Sequence, residues 1–311
     1  MNINKMPALS VIVPTPDHYD TVRKTLQALR AQTVRDLLEI VIVGPSSVAS
    51  EIDESELGDF LQFRVVEVDQ FTSSGRSRAE GVHCASAPLV AFAEDHAYPD
   101  PEWAAYLIKA HRDDWAAVVP GVFNGTPESM VGWSAHMIAY GSWDGALPSG
   151  EIETLPTHNT VYKRRLLVKY GADLGEMLDF EKHIHRDLRE NGYQFYLETS
   201  ARIYHCQFTK LLPSLQLLYH GGRIFAASRL RYWSTLRRLL YIVGLPLVAA
   251  DHLRRVLKAT RRSGRQHGIF PKILPALVMG WGVFTFGEMT GYMGCAGSSV
   301  RRFSQLEFHR E

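Results

Sequence analysis

Cysteine is scarce, with three in 311 residues: Cys84, Cys206 and Cys295. None forms a CxxC pair or a metal-ligand spacing, which excludes a disulfide framework and a thiolate metal site. Charge of one sign is missing too. Lys and Arg number 34 against 33 Asp and Glu, a formal net charge of +1, so the overall balance implies no nucleic-acid partner. Residues 1–8 lack the apolar core of a secretion signal, so the chain is expected to face the cytosol. No apolar run reaches the ~20 uninterrupted residues of a membrane-spanning helix. There is no internal repeat and no low-complexity tract.

What is present is an alternation of strand and helix signals. Leu9–Pro14, Leu38–Gly44, Phe63–Val68 and Pro88–Ala93 are short apolar, β-branched runs, the signature of strands buried on both faces. Between them, Thr21–Gln32 and Gly75–Cys84 read as helices. This order predicts an α/β fold with a mainly parallel sheet, whose ligands bind beyond the carboxyl ends of the strands. Thr15, Asp17, Gly44, Ser46, Glu94, Asp95 and His96 stand at those ends. Further on, Leu178–Asn191 reads as a helix stopped by Gly192, and Tyr193–Leu197 and Ala201–His205 as two strands.

Three clusters carry chemistry. Glu94-Asp95-His96 follows an apolar strand and supplies hard oxygen and imidazole ligands for a divalent metal. Continued strand geometry would turn residues 94 and 96 to one side. Asp179-Phe180-Glu181 stands at the start of the 178–191 helix. There an acid either complements the helix dipole or serves as a general base; the residues alone leave Asp179 and Glu181 both open. His158 and Asn159 either line a pocket or shape a turn, and His205, after a short strand, is a packed residue or a further metal or phosphate contact.

Together these pieces resemble family 2 of the inverting nucleotide-sugar glycosyltransferases, over roughly residues 8–208. Ser10-Val11-Ile12-Val13-Pro14-Thr15 resembles the family's opening strand, and Gly75-Arg76-Ser77-Arg78-Ala79-Glu80-Gly81 its glycine- and arginine-bearing segment. Glu94-Asp95-His96 falls at the family's DXD position. Phe180-Glu181 with Leu188 and Gly192-Tyr193 resembles its "ED … L … Gy" helix, and Ala201–His205 its strand ending in histidine.

The resemblance implies a GT-A fold with a mixed, mainly parallel sheet. It implies a nucleotide-binding half at residues 1–98 and an acceptor half at 99–210. It implies Mn²⁺ or Mg²⁺ held by Glu94, Asp95 and His96, and donor contacts from Pro14, Thr15, Asp17, Gly44, Arg78, Glu94 and Asp95. His158 and Asn159 fall on the acceptor side. Counting back from Gly192 places Glu181 at the catalytic base. The expected partners are a nucleotide-diphospho-sugar donor and a saccharide or lipid-linked acceptor. Two departures stand out: Gly44 replaces the family's aspartate after the second strand, and no QxxRW motif is present, which points to single transfers rather than processive synthesis.

Two other readings compete. A nucleotidyltransferase would show a glycine-rich loop and lysine after the first strand, where Pro14-Thr15-Pro16-Asp17 stands instead. A catalytically inactive carbohydrate- or lipid-binding scaffold is motivated by Gly44 and the altered triplet.

After residue 210 the composition shifts. Two apolar segments, Leu239–Ala250 and Ile273–Gly287, flank a basic stretch of Arg254, Arg255, Lys258, Arg261, Arg262 and Arg265. Gly244 and Pro246 interrupt the first segment, and Pro275 and Glu288 bound the second. Residues 211–311 are therefore expected to form a helical, membrane-associated region at the cytoplasmic face of the cell membrane, where interfacial or re-entrant helices fit better than clean spans; the alternative is that both segments are core helices of a small C-terminal subdomain.

Overall fold

A computed structural model of the protein describes residues 6–69, 71–156, 158–180, 182–230, 232–264 and 268–308. In chain order the elements are β1 (Leu9–Pro14), α1 (Tyr19–Arg30), β2 (Leu38–Gly44), α2 (Ser46–Glu51), β3 (Gln62–Glu67), α3 (Ser74–Cys84) and β4 (Leu89–Phe92). Next come β5 (Ala97–Pro99), α4 (Trp103–Ala110), β6 (Ala117–Asn124), α5 (Met130–Tyr140), β7 (Gly150–Ile152), β8 (Val161–Lys163), α6 (Arg164–Leu167) and α7 (Leu174–Asp179). The last are α8 (Lys182–Glu190), β9 (Phe195–His205), α9 (Leu211–Leu230), α10 (Thr235–Val243), α11 (Leu245–Arg262), α12 (Phe270–Gly294) and α13 (Ser299–Phe308). They pack as two units: residues 1–123 with 148–205, and residues 124–147 with 206–311.

The first unit holds a mixed sheet ordered β3-β2-β1-β4-β8-β6-β9-β5, with β7 alongside β9. Its first four strands are parallel. Every residue of β1, β2 and β4 is buried, because crossover helices cover both faces, and this is why the strands read as unbroken apolar runs. One polar pair is built into that core. Glu39 on β2 accepts hydrogen bonds from Ser10, from the Ser86 backbone and hydroxyl, and from Arg64. These bonds outweigh burial and hold its carboxyl below the ordinary carboxylate range. The fold is of the GT-A type.

Two expectations about local structure are corrected. The predicted helix over 178–191 is two helices. Leu174–Asp179 ends at Phe180, whose φ of −112° and ψ of 61° are not helical, and a second helix begins at Lys182. The predicted strands at 193–197 and 201–205 are one, β9. Its polar centre, Glu198-Thr199-Ser200, lies between the stretch paired with β7 and the stretch paired with β5.

The second unit is helical. Its core joins Trp133 and Met137 of α5, Val256 and Ala259 of α11, and Ile273, Leu277 and Trp281 of α12. The apolar segment expected to stop short of a spanning length is part of α12, a 25-residue helix that contains Pro275 and runs past Glu288. Pro275 falls in the second turn, where its missing N–H forfeits only a bond to Pro271. Glu288 is fully buried, with Arg229 3.5 Å away. By length and composition α12 is able to cross a membrane. It also packs closely on α9 through glycines: a Cβ on Gly222 would lie 2.1 Å from the Phe284 carbonyl, and one on Gly287 2.2 Å from that of Tyr219. Leu239–Ala250 is divided at Gly244, where α10 ends and α11 starts with Pro246 in its first turn.

Candidate active site

Three chain segments meet beyond the carboxyl end of β4, and strand pairing explains each. Antiparallel pairing of β8 with β4 sets Ala91 opposite Val161, so residues just before β8 lie beside residues just after β4. The Asn159 N–H donates to the Phe92 carbonyl at 2.9 Å. Antiparallel pairing of β5 with β9 sets Ala97 opposite His205, which brings His205 beside His96. Thr25 of α1 donates to the Glu94 carbonyl at 2.8 Å and fixes the turn from outside.

Glu94 is the hub. One carboxylate oxygen accepts from the Asn159 amide at 2.7 Å and lies 3.3 Å from His205 Nε2. The other lies 2.6 Å from His158 Nδ1 and 3.9 Å from His96 Nε2. Burial pushes this carboxyl up, but His158 and then His96, with hydrogen bonds from His158 and His205, outweigh burial. They hold it well below the ordinary carboxylate range. Asn159 occupies the left-handed region at φ 61°, a conformation asparagine tolerates better than most residues. Its side-chain amide donates to Glu94.

His96 Nε2 lies 3.1 Å from His205 Nε2, with the two rings edge to face at 89°. Behind it, His96 Nδ1 lies 2.6 Å from Asp95 Oδ1. Donation from Nδ1 to Asp95 leaves Nε2 with its lone pair toward His205 and Glu94, as a carboxylate-oriented histidine ligand requires. One ligand atom each from Glu94, His96 and His205 lies within 4.8 Å of the others. This donor set, one oxygen and two imidazole nitrogens, fits a divalent transition metal such as Mn²⁺ better than Mg²⁺, which prefers all-oxygen shells. The converging trio holds Glu94 and His96 of the sequence triplet together with His205, the possible further contact, while Asp95 bonds His96 Nδ1. The triplet sits in a turn beyond β4, not on a continued strand.

Arg78, buried on α3, stacks over Phe92 at 5.7 Å and brings Nη2 to 2.7 Å from His158 Nδ1. The same nitrogen faces Glu94, and it either accepts from Arg78 or donates to Glu94, not both at once. Arg78 is aimed by the start of its helix. There Asp179 accepts from Ser73 Oγ at 2.7 Å and from the Gly75 N–H at 2.9 Å. Gly75 is needed for that approach, because a Cβ would lie 2.5 Å from the Asp179 backbone nitrogen. Burial raises the Asp179 carboxyl above its ordinary value, against the pull of these bonds and of Arg78. Asp179, one of two candidate bases in the sequence, is thus tied to the start of α3. Glu181, the other, lies outside the described residues.

Pro14 and Thr15 close β1. Thr15 is buried and its hydroxyl bonds the His18 carbonyl and Thr21; Asp17 accepts from the His18 N–H. Gly44 ends β2 against this loop, and a Cβ there would lie 2.9 Å from the Thr15 carbonyl. An aspartate in that position has no room without moving the loop. The sequence offered His205 as a packed residue or a further metal or phosphate contact and Asp179 as a candidate base; their partners, more than 100 residues away, were not legible there.

Acid and imidazole side chains converge beyond the carboxyl ends of the parallel strands, where open α/β sheets bind their ligands. The family model for glycosyl transferase family 2 matches residues 10–171, just over half of the chain, and the chain belongs to that family. Among solved structures it resembles the mannosyltransferase PcManGT from Pyrobaculum calidifontis in complex with GDP-Man and Mn²⁺. There the TM-score is 0.54 and the identity 17%, over 95% of this chain and 87% of that one. It also resembles S. aureus TarS 1–349 in complex with UDP, with a TM-score of 0.48 and 17% identity over 92% of this chain and 91% of that one. Comparison with curated proteins gave no match.

Proposed function

We propose that this protein transfers a sugar, with inversion, from a nucleotide diphosphate donor to the hydroxyl of a saccharide or lipid-linked acceptor at the cytoplasmic face of a membrane. The observation that carries the transfer reading is the convergence of Glu94, His96 and His205 beyond β4. Glu94, His96 and His205 would hold a divalent ion, with Asp95 fixing the His96 tautomer. Bound there, such an ion would neutralise charge developing on the leaving diphosphate. The Pyrobaculum mannosyltransferase structure, solved with GDP-Man and Mn²⁺, makes Mn²⁺ the first ion to try.

This chain's own groups do the rest. Pro14, Thr15, Asp17 and Gly44 shape the nucleotide end, largely with backbone. Arg78 steadies His158 and offers its remaining N–H groups to the diphosphate. Asn159 keeps Glu94 oriented, and His158, partly exposed, faces the acceptor side. The Glu181 carboxylate takes the acceptor's hydroxyl proton as that oxygen attacks the anomeric carbon. The bond from that carbon to the diphosphate oxygen breaks, and its electron pair leaves on the diphosphate.

The test pairs binding with turnover. Glu181→Gln is expected to keep donor binding, read as a nucleotide-dependent rise in melting temperature with Mn²⁺. Transfer is expected to fall by roughly 10²–10⁴-fold, the usual contribution of a positioned base. Wild-type turnover in this variant would overturn the base assignment. If no nucleotide diphosphate shifts the melting temperature of the native chain, with or without Mn²⁺, the donor reading fails.

A further inference from the structure

Helix α10 is built inside out. Leu236, Leu239, Leu240 and Val243 fall within about 100° of arc, the stripe by which a surface helix normally faces its core. Here all four face solvent, at 67%, 55%, 65% and 81% exposure. Turned inward instead are Tyr241, which packs edge-on against Trp233 and Tyr292, and Arg238, which donates to the carbonyls of Leu230 and Trp233. The orientation is therefore fixed by specific contacts on the polar side.

Helix α11 continues the theme with charge. Leu247, near its start, is 77% exposed. Arg254, Lys258 and Arg261 recur within about 40° of the same line down the helix, and all three are exposed. Across residues 235–262 there are seven Lys and Arg and a single acid, Asp251, which is bound by Arg254 and Arg255.

We propose that α10 and the first turn of α11 dock on an anionic lipid surface. The α10 stripe and Leu247 enter the boundary between headgroups and acyl chains, and Arg254, Lys258 and Arg261 meet lipid phosphates. Exposed leucines beside an excess of cations match such a surface in both polarity and charge. A second copy of the chain is a poor alternative occupant, since it would bring the same cations against these. The inference rests on the membrane placement proposed above and adds to it the docking face and the lipid charge.

The experiment is flotation of the full chain with phosphatidylcholine vesicles, with and without phosphatidylglycerol, alongside sedimentation of the chain alone. The native chain is expected to float at least ~10-fold more strongly with the anionic vesicles and to be released by salt. The triple variant Leu239→Glu/Leu240→Glu/Val243→Glu should lose that binding while melting at the native temperature. Arg254→Glu/Lys258→Glu/Arg261→Glu should lose the preference for anionic lipid. Native chain that stays down with both vesicles overturns the docking face and the membrane placement together. A triple variant that still floats overturns the docking face alone. Equal binding to both vesicles removes the anionic requirement. A native dimer that the triple variant makes monomeric assigns the stripe to self-association. Donor binding, read separately by thermal shift, distinguishes all of these from failure of the transferase reading.

Discussion

The candidate site in the first unit and helix α10 in the second handle water in opposite ways. In the first, ionisable side chains are taken inside: Glu94, Asp95, His96, Arg78 and His205 are all buried, each held by named partners. In the second, large apolar side chains are left outside along α10. Burying charge is costly unless it is paired and hydrogen-bonded, and exposing a leucine stripe forfeits the stabilisation that burial would give. The two functions proposed above assign a ligand to each place: a polar, anionic one at the sheet and an apolar, anionic one at the helices.

The sharpest way to break this comparison is at the buried trio. His205→Ala is expected to lower Mn²⁺ affinity by at least ~10²-fold, since even outer partners of a metal ligand cost 10–100-fold. Calorimetric titration with Mn²⁺ checks it, and native affinity in this variant would mean the trio does not ligate.

The next effect concerns a buried polar group of the first unit outside the site. His111 Nε2 donates to the Val161 carbonyl, 3.1 Å away, and burial pushes it down to about 4. Its folded value lies below the unfolded 6.5, so between these values the unfolded chain holds more protons. Stability from this group is complete above about pH 6.5, falls as pH is lowered, and levels out below about 4. The span corresponds to about 3 kcal/mol. Thermal melts of the native chain and His111→Gln across pH 4–7 should diverge by up to that amount; parallel curves would show that His111 does not titrate on unfolding.

Asp179→Asn comes third. It keeps the shape but weakens the bonds to Ser73 and Gly75, and is expected to cost about 1–3 kcal/mol. As a positioning residue acting through α3 and Arg78, it should raise the donor KM more than it lowers kcat. An equal fall in kcat with KM unchanged would point to a direct role in the chemistry. The smallest effect is on the outward stripe. Leu240→Gln should alter stability by no more than ~0.5 kcal/mol, because the side chain is already in water. A large drop in melting temperature would show that α10 is covered within the folded chain.

The sequence made β1, β2, β4, α1 and α3 legible because parallel strands buried on both faces leave no polar alternation to misread. It was less clear where a polar residue has a distant partner. Asp179 looked like the start of one helix, but it ends α7, where Ser73 and Gly75 bond its carboxylate. Glu288 looked like the end of an apolar helix, but Arg229 reaches it and the helix goes on. Glu198-Thr199-Ser200 looked like a break between strands, but it only marks a change of neighbour along β9. In the site, the triplet 94–96 and the pair 158–159 were visible as motifs. His205 was named there only as one of two possibilities, and its place beside His96 was not legible, because it follows from β5 pairing with β9 in a particular register.

The left-handed Asn159 has a consequence for how a ligand is received. Its backbone closes on Phe92 while its amide closes on Glu94, so the carboxylate is aimed when the chain folds rather than when a ligand arrives. A cation or donor entering here has no loop to organise around Glu94, and little of its affinity is lost to ordering the protein.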